Sequence, residues 1–183
     1  MIRLFVGLSL PQTVQEQLMS LDKNLSGALW KSADKLHLTL SFIGNVEEPV
    51  AEELVRELRF IRFPAFHVSL KEIGYFATGD MPHHLWAGVD EDKALRELQE
   101  KIAAVVRKMG LADRDKFKFH PHVTLAKLQG TNLTEVMSYI GKNNLFHSDL
   151  FLVDSFNLFS SHAKEAGEGK YYTIEEQYPL NLV

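Results

Sequence analysis

The sequence predicts an α+β fold with two similar lobes, on three observations. Segments in which apolar and polar residues alternate are interleaved with segments whose apolar residues recur every three or four positions. A histidine and a threonine stand two residues apart in His37-Leu38-Thr39-Leu40 and again in His122-Val123-Thr124-Leu125. Around both stretches the elements follow in the order strand, helix, motif strand, helix, strand. The repeated order indicates lobes related by a pseudo-twofold axis, each contributing one histidine–threonine pair to a cleft.

The first lobe is predicted to span about residues 1–80 of a single domain, 1–183. Its strands are predicted at residues 2–9, at 36–43, where Gly44-Asn45 closes the strand, and at 66–73. Its two helices begin near Pro11 and Pro49, because proline suits the first helical turn. Their buried faces are predicted to be Val14, Leu18, Leu21 and Leu25 in the first helix, which Gly27 ends, and Val50, Leu54 and Leu58 in the second.

The second lobe is predicted to span about residues 81–183, with terminal strands free to cross between lobes. Strands are predicted at residues 84–89, 117–127, 149–159 and 170–176. A helix capped by Asp90 or Asp92 ends at Gly110, and a shorter helix covers about 134–141. The first of these helices carries a buried stripe of Leu95, Leu98, Ile102, Val105 and Met109. Gly167-Glu168-Gly169 is interpreted as a turn between the last two strands.

Composition excludes several classes of protein. With 45% hydrophobic and 24% charged residues among 183, the chain has the balance of a soluble globular protein. It contains no apolar run long enough for a transmembrane helix and no signal peptide, so we expect a cytoplasmic protein. The absence of cysteine excludes disulfides, a thiol nucleophile and thiolate metal sites. A net charge of −4 argues against a protein that coats duplexes, but not against an enzyme acting on a nucleic-acid end.

The two His-x-Thr stretches are suited to acid–base chemistry on a phosphate. In a strand, residues two apart share a face, so each stretch presents an imidazole beside a hydroxyl. A neutral imidazole can take a proton from a nucleophile while a protonated one gives a proton to the leaving oxygen. Threonine hydroxyls can donate to the non-bridging oxygens. No metal is predicted, and the residues alone leave open which histidine is the acid.

At these residues the chain resembles the RNA 2′,3′-cyclic phosphodiesterases, also called 2′-5′ RNA ligases, of the 2H phosphoesterase superfamily. The resemblance covers most of the chain, and its specific part is the pair of His-x-Thr motifs. The similar segments are Arg3-Leu4-Phe5-Val6 with Leu10-Pro11, Trp30 before Leu36-His37-Leu38-Thr39-Leu40-Ser41-Phe42-Ile43-Gly44, and Phe119-His120-Pro121-His122-Val123-Thr124-Leu125.

The resemblance implies a bilobal α+β fold with antiparallel sheets around a central groove and helices outside. It implies opening of a 2′,3′-cyclic phosphate at an RNA 3′ end, or in a nucleoside 2′,3′-cyclic phosphate, to a 2′-phosphomonoester. His37 is then the proton donor and His122 the acceptor, while Thr39 and Thr124 hold the phosphate. Lys127 stands where the family commonly has arginine, which keeps the charge but loses the bidentate fork. We expect a monomer without cofactor or metal.

Other residues keep two interpretations. His120 either touches substrate or is a polar residue at the strand entry, and Phe42 either stacks on a base or fills the core. Lys116-Phe117-Lys118-Phe119 either holds an RNA backbone or is a half-exposed strand. The family often carries a basic residue in the strand around 84, and His83 and His84, which stand nearby, either replace it or do not. Three histidines are predicted on the surface: His67, His147 and His162.

Two other functions remain possible from the sequence. The same histidine pair would serve on 2′-5′-linked oligonucleotides or on ADP-ribose cyclic phosphate. A non-catalytic module that binds RNA ends would keep the groove but would need no matched acid and base. Weak 2′-5′ RNA ligation is predicted as the reverse reaction, because reversal uses the same groups. ATP-dependent joining is not predicted, since no nucleotide-binding loop is present.

Overall fold

The computed structural model of the chain describes residues 1–90, 93–111, 118–163 and 169–181. Within these residues it contains ten strands, four α-helices and a short 3₁₀ helix at Ala33–Lys35. The strands are β1 (Ile2–Ser9), β2 (Ala28–Trp30), β3 (His37–Val46), β4 (Phe66–Val68), β5 (Leu70–Thr78), β6 (Met81–Val89), β7 (His122–Leu128), β8 (Phe151–Val153), β9 (Ser155–Ala163) and β10 (Lys170–Pro179). The helices are α1 (Gln12–Met19), α2 (Glu48–Leu58), α3 (Lys93–Lys108) and α4 (Leu133–Asn143).

A large antiparallel sheet forms the centre of the fold, as the predicted class requires. In the described residues its order is β10-β9-β1-β3-β7-β6-β5, and β2 pairs with the outer part of β7. The central strands β3 and β7 meet at one residue pair, Leu38 opposite Val123. These are the middle residues of the two His-x-Thr motifs, so the pseudo-twofold axis passes between them. A second pair of equivalent strands, β4 and β8, forms a small separate sheet.

The two halves of the large sheet exchange strands. β1 and β3 are joined by β9 and β10 from the end of the chain, whereas β6 and β7 are joined by β5 and β2. Each half is therefore built from both ends of the sequence. The division into lobes at about residues 1–80 and 81–183 stays a prediction, and the pairing shows that strands cross such a boundary in both directions.

β3 and β7 carry the same irregularity at the same place. In β3 the register with β1 shifts between Val6 and Gly7, and in β7 the register with β6 shifts between Leu85 and Trp86. Both motif strands then show two consecutive buried residues, followed by an exposed one. Such a β-bulge reverses the alternation of faces. The residue five positions after each motif histidine therefore returns to the face of that histidine.

Several predicted boundaries differ from the structure. The first helix ends at Met19 instead of near Gly27, because the Asp22 carboxylate accepts the Asn24 amide in a local turn. In addition, the carbonyls of Asp22 and Lys23 accept bonds from the Tyr139 hydroxyl and the Trp30 indole. Tertiary contacts thus replace the helical bonds. Leu25 is buried, as its apolar spacing predicted, although it lies beyond the end of α1.

Two predicted strands are each divided in the structure. Residues 66–73 form β4 and the start of β5, and residues 149–159 form β8 and most of β9. The chain leaves the small sheet at Ser69 and at Asp154 and enters the large one. The first motif strand runs on to Val46, because Gly44 continues it with a φ of 89°. Asp92 and Gly167-Glu168 lie outside the described residues.

The core lies between the sheet and the helices, each of which buries one face. Leu54 and Leu58 of α2 are buried as predicted, and so are Leu95, Leu98 and Ile102 of α3. Gly110 follows α3 with a φ of 67°, which suits a helix end. Across the described ranges, we find no helix both long and apolar enough to span a membrane.

Candidate active site

The two motif histidines lie at the centre of the sheet. His37 and His122 are the first residues of β3 and β7, immediately before the residues that form the Leu38–Val123 pair. Leu38 and Val123 are fully buried, while the histidines are half-buried on the opposite face. Thr39 and Thr124 share that face and the same partial exposure. The structure thus brings together the four residues predicted from the two motifs.

Both imidazoles are held by the same type of hydrogen bond. Nδ1 of His37 lies 2.8 Å from the carbonyl oxygen of Lys35, and Nδ1 of His122 lies 2.7 Å from that of His120. A carbonyl oxygen can only accept, so in each ring the proton resides on Nδ1. Nε2 of the neutral ring then carries a lone pair. Each histidine is therefore prepared to accept a proton at Nε2, or to donate one from there when it is charged.

Aromatic rings fix the orientation of each imidazole. The His37 ring centroid lies 4.9 Å from that of Phe5, 5.0 Å from that of Tyr172 and 5.9 Å from that of Phe159. The His122 centroid lies 4.9 Å from that of Phe76 and 6.2 Å from that of Trp86. These surroundings restrict rotation of the rings and remove water from one side of each.

Lys31 also lies beside the two motif histidines, which the sequence did not predict. Its main-chain N–H donates to the carbonyl of Leu125 in β7 at 2.8 Å, which places it beside the second motif. Its ammonium reaches to 5.9 Å from the ring centroid of Tyr172, the ring that packs edge-on against His37. Lys31 therefore spans the two halves of the sheet. The sequence shows only that a lysine directly follows the apolar segment that ends at Trp30. Its position beside the second motif depends on the pairing of β2 with β7, which cannot be predicted from one sequence.

The charges around the histidines are cationic. Burial and the neighbouring Lys31 lower the pKa of His37 from 6.5 to about 4, and the charge of His122 adds to this effect. The pKa of His122 is also lowered, by burial first and then by His120 and Lys31. Burial and Lys35 lower the pKa of Lys31 to about 8, so it remains mostly charged at neutral pH. Both imidazoles are neutral in the free protein, in a setting that favours a bound anion.

The bulges bring Lys127 and Phe42 to the face of the histidines. The two residues occupy equivalent positions, five residues after His122 and His37. Phe42 is 53% exposed, so the interpretation that it fills the core is wrong. Lys127 is exposed and pairs with His84 of β6. The charges of Lys31, Lys127 and His122 all lower the pKa of His84, after burial and His83, which places its ring at the same cleft.

His120 lies outside β7, since Pro121 separates it from the strand. Its carbonyl orients His122, and its ring lies 4.7 Å from Trp86 and 6.1 Å from His122. His120 is exposed, so contact of its ring with a substrate stays a prediction.

The remaining candidate residues differ in their exposure. His67 and His147 are exposed, as predicted, whereas His162 is half-buried with Nε2 at 2.6 Å from the Ser160 hydroxyl oxygen. Phe119 packs against the core, Lys118 is exposed, and Lys116-Phe117 lies outside the described residues. No group of three or more potential metal-ligating side chains occurs in the described part of the chain.

Comparison with known proteins identifies the family. The sequence model of the 2′-5′ RNA ligase superfamily matches residues 11–165. The RNA 2′,3′-cyclic phosphodiesterase of Aeropyrum pernix is 40% identical over 98 residues, which cover 53% of this chain and 55% of that protein. The RNA 2′,3′-cyclic phosphodiesterase of Aquifex aeolicus is 25% identical over 185 residues, or 98% of this chain and 97% of that protein.

Solved structures agree in fold. E. coli LigT superposes with a TM-score of 0.79 at 24% sequence identity, covering 98% of both chains. That protein has also been solved in complex with 3′-AMP. The paired His-x-Thr strands, their common pseudo-twofold axis and the match over most of the sequence lead to one conclusion. The chain belongs to the 2′-5′ RNA ligase superfamily.

Proposed function

We propose that this chain hydrolyses the 2′,3′-cyclic phosphate at RNA 3′ ends to a 2′-phosphomonoester, using two histidines and no metal. The observation that carries the proposal is the equivalent placement of His37 and His122. Each Nδ1 is bound to a main-chain carbonyl, and each ring lies beside the central Leu38–Val123 pair. The names of the Aeropyrum pernix and Aquifex aeolicus relatives support the same substrate.

The proposed reaction is a single displacement at phosphorus. Nε2 of His122 takes a proton from water as the water oxygen bonds to phosphorus, and the bond from phosphorus to O3′ breaks. Nε2 of His37 gives its proton to O3′, which leaves as a hydroxyl. The product is a 2′-phosphomonoester, and proton exchange with solvent returns both rings to their starting states. This division of roles follows the family resemblance.

The hydroxyls and the lysine have supporting roles in this proposal. Thr39 and Thr124 share the face of the histidines and donate hydrogen bonds to the non-bridging oxygens, whose charge grows in the transition state. The Lys31 ammonium, beside both histidines, balances that charge. Lys127 contributes a second cation at the edge of the cleft, with one point of contact in place of the arginine fork.

The acid role of His37 depends on the bound phosphate. Its pKa of about 4 in the free protein leaves it neutral at pH 7. A phosphodiester anion next to the ring favours the charged form and raises this pKa, opposing the effects of burial and Lys31. His37 is then protonated mainly in the complex, where its proton is needed.

The test is hydrolysis of nucleoside 2′,3′-cyclic phosphates and of an RNA oligonucleotide with a cyclic phosphate end, in EDTA, with the product phosphate position identified. We expect a 2′-phosphate product, and loss of turnover by about 10²–10⁴-fold in His37→Ala and in His122→Ala. His67→Ala is the matched control, because His67 is exposed and lies on β4, in the small separate sheet. Full activity in either motif variant, with the fold retained, contradicts the proposal.

The same assay separates the alternatives. Turnover of 2′-5′-linked oligonucleotides or ADP-ribose cyclic phosphate in place of RNA ends would change the proposed substrate and keep the histidine pair. Tight binding of a 2′-phosphate end without turnover would favour a binding module. Slow joining of a cyclic phosphate end to a 5′-hydroxyl, lost in the same histidine variants, is the expected reverse reaction.

A further inference from the structure

A small cavity adjoins His37 on the side away from His122. Its volume is about 90 Å³, and it opens between β1, β3, β9 and β10. The polar and aromatic side chains that line it with His37 are Arg3, Phe5, Phe42, Ser161, Lys170 and Tyr172. At about 30 Å³ for each water in the liquid, this volume matches about three waters, which suits one phosphate group and is small for a nucleobase.

Two cations meet at this cavity. Arg3 projects from β1 and Lys170 from β10, strands that are separated in the sheet by β9. Burial raises the pKa of the Tyr172 hydroxyl, and the positive charge of Arg3 opposes this shift, so the guanidinium lies near that ring. Within the described residues, no carboxylate pairs with either cation. Their charges are therefore available to an anion.

The position of the cavity relates it to the chemistry. Tyr172 lines the cavity and packs against the His37 ring with 5.0 Å between centroids, and Phe42 forms part of the wall on the same face as His37. A cyclic phosphate between the two histidines leaves the ribose next to His37. In a nucleotide the 5′-oxygen is attached on the far side of that ribose from the 2′ and 3′ oxygens. A cavity that is lined by His37 and by Arg3 and Lys170 can therefore receive a group on the 5′-oxygen of that ribose.

We propose that Arg3 and Lys170 bind the 5′-phosphate of the terminal nucleotide, so that the site distinguishes an RNA end from a bare nucleoside 2′,3′-cyclic phosphate. This inference rests on the proposed function. In an RNA strand the bound group is the phosphodiester that joins the last nucleotide to the one before it. Arginine supplies a fork that fits two phosphate oxygens, and lysine adds a point charge.

The experiment compares two substrates that differ only in the 5′ group: adenosine 2′,3′-cyclic phosphate and its 5′-phosphorylated form. We expect kcat/KM to be about 10- to 100-fold higher for the 5′-phosphorylated substrate, the range for hydrogen bonds to a charged group. Arg3→Gln and Lys170→Gln should each remove most of this preference. Arg56→Gln and Lys101→Gln, exposed cations on α2 and α3, are the matched controls and should keep it.

A second measurement does not depend on turnover. By calorimetry, adenosine 2′,5′-bisphosphate should bind more tightly than adenosine 2′-phosphate, and the difference should disappear in Arg3→Gln and Lys170→Gln. Equal kcat/KM for the two substrates, or a preference that persists in both variants, overturns the inference and leaves the proposed function intact. Absence of hydrolysis with either substrate overturns the proposed function, and the binding difference then decides the inference alone.

Discussion

Lys31 is the residue on which the electrostatics of the cleft depend most. It acts on the pKa of His37, His84 and His122 together, and it is itself partly desolvated. A cation lowers the pKa of a neighbouring histidine because it repels the proton. The same cation stabilises the extra negative charge of a phosphate in its transition state. In the proposed mechanism we therefore expect Lys31 to affect both the stabilisation of the transition state and the pH dependence of the histidine pair.

Replacing Lys31 with methionine should separate these two effects. We expect kcat/KM to fall by about 10- to 1000-fold, as for loss of one preorganised charge. We also expect the pH optimum of kcat/KM to move upward, because both histidine pKa values rise when the cation is removed. In the unmodified chain both of these values lie below 6.5, so its kcat/KM should peak on the acidic side of neutrality.

Lys101→Met is the control for this variant, since Lys101 is an exposed residue of α3. It should leave both the rate and the pH profile unchanged. A Lys31→Met protein that loses activity with an unshifted pH profile would show that Lys31 does not tune the histidines.

Single residues differ in how far the sequence predicts them. His37 and Thr39 lie on the same face of β3 because side chains in a strand alternate with a period of two residues, so this arrangement could be predicted. Phe42 and Lys127 could not be placed by the same rule, because an uninterrupted strand would turn them to the opposite face. Their orientation depends on a bulge in each strand, which leaves no clear mark in the sequence.

At the scale of elements, the hairpin of β5 and β6 supports the second histidine. Gly74 of β5 lies opposite Trp86 of β6, and a β-carbon added at Gly74 would come within 2.2 Å of the Trp86 ring. That ring lies 4.7 Å from the His120 ring, and the His120 carbonyl holds His122. The glycine therefore allows the indole to lie flat across the hairpin, next to the active site.

Gly74→Ala should displace the indole. We expect a loss of about 1–3 kcal/mol in the free energy of unfolding, as for an overpacked site, together with lower kcat from misplacement of His122. Urea denaturation and steady-state kinetics measure the two effects.

Gly141→Ala in α4 is the matched control for this change, because nothing lies within 4 Å of an added β-carbon there. It should stabilise the chain by about 0.5–1 kcal/mol and leave kcat unchanged. Equal behaviour of the two alanine variants would contradict the packing role of Gly74.

Element boundaries show where local pattern is sufficient. Most of the predicted buried stripes of α2 and α3 are confirmed, because apolar spacing and a terminal proline or glycine act within the element. Val50, Val105 and Met109 are only partly buried against the core. The two predicted strands that the structure divides, at Ser69 and at Asp154, contain no glycine or proline that would mark the break. Only the choice of partner strand distinguishes β4 from β5 and β8 from β9, and that choice is made by tertiary pairing.

At the scale of the whole molecule, the two halves of the sheet are joined by more than the central pair. β5 follows the β4 strand of the small sheet into one half, and β9 follows β8 into the other. Neither half can form without strands from the other end of the chain. We therefore predict that the protein unfolds as one cooperative unit, as the single domain expected from the sequence requires.

Two optical signals test this prediction. Far-ultraviolet circular dichroism reports the helices and strands of the whole chain, whereas Trp30 and Trp86 report the half built on β2 and β6. The two urea transitions should coincide in midpoint and slope. A tryptophan transition that precedes or follows the dichroism change would show that the halves unfold independently.

The most direct test of the central claim is the turnover of the double variant His37→Ala/His122→Ala. In the proposed mechanism the two imidazoles act on one phosphate as a single acid–base pair. Once either histidine is absent, removal of the other should then reduce the rate of hydrolysis only slightly further. The double variant should therefore hydrolyse the cyclic phosphate about as slowly as the slower single variant. Losses that multiply, so that the double variant is slower by the product of the two single effects, would show that the histidines act independently and would contradict the account.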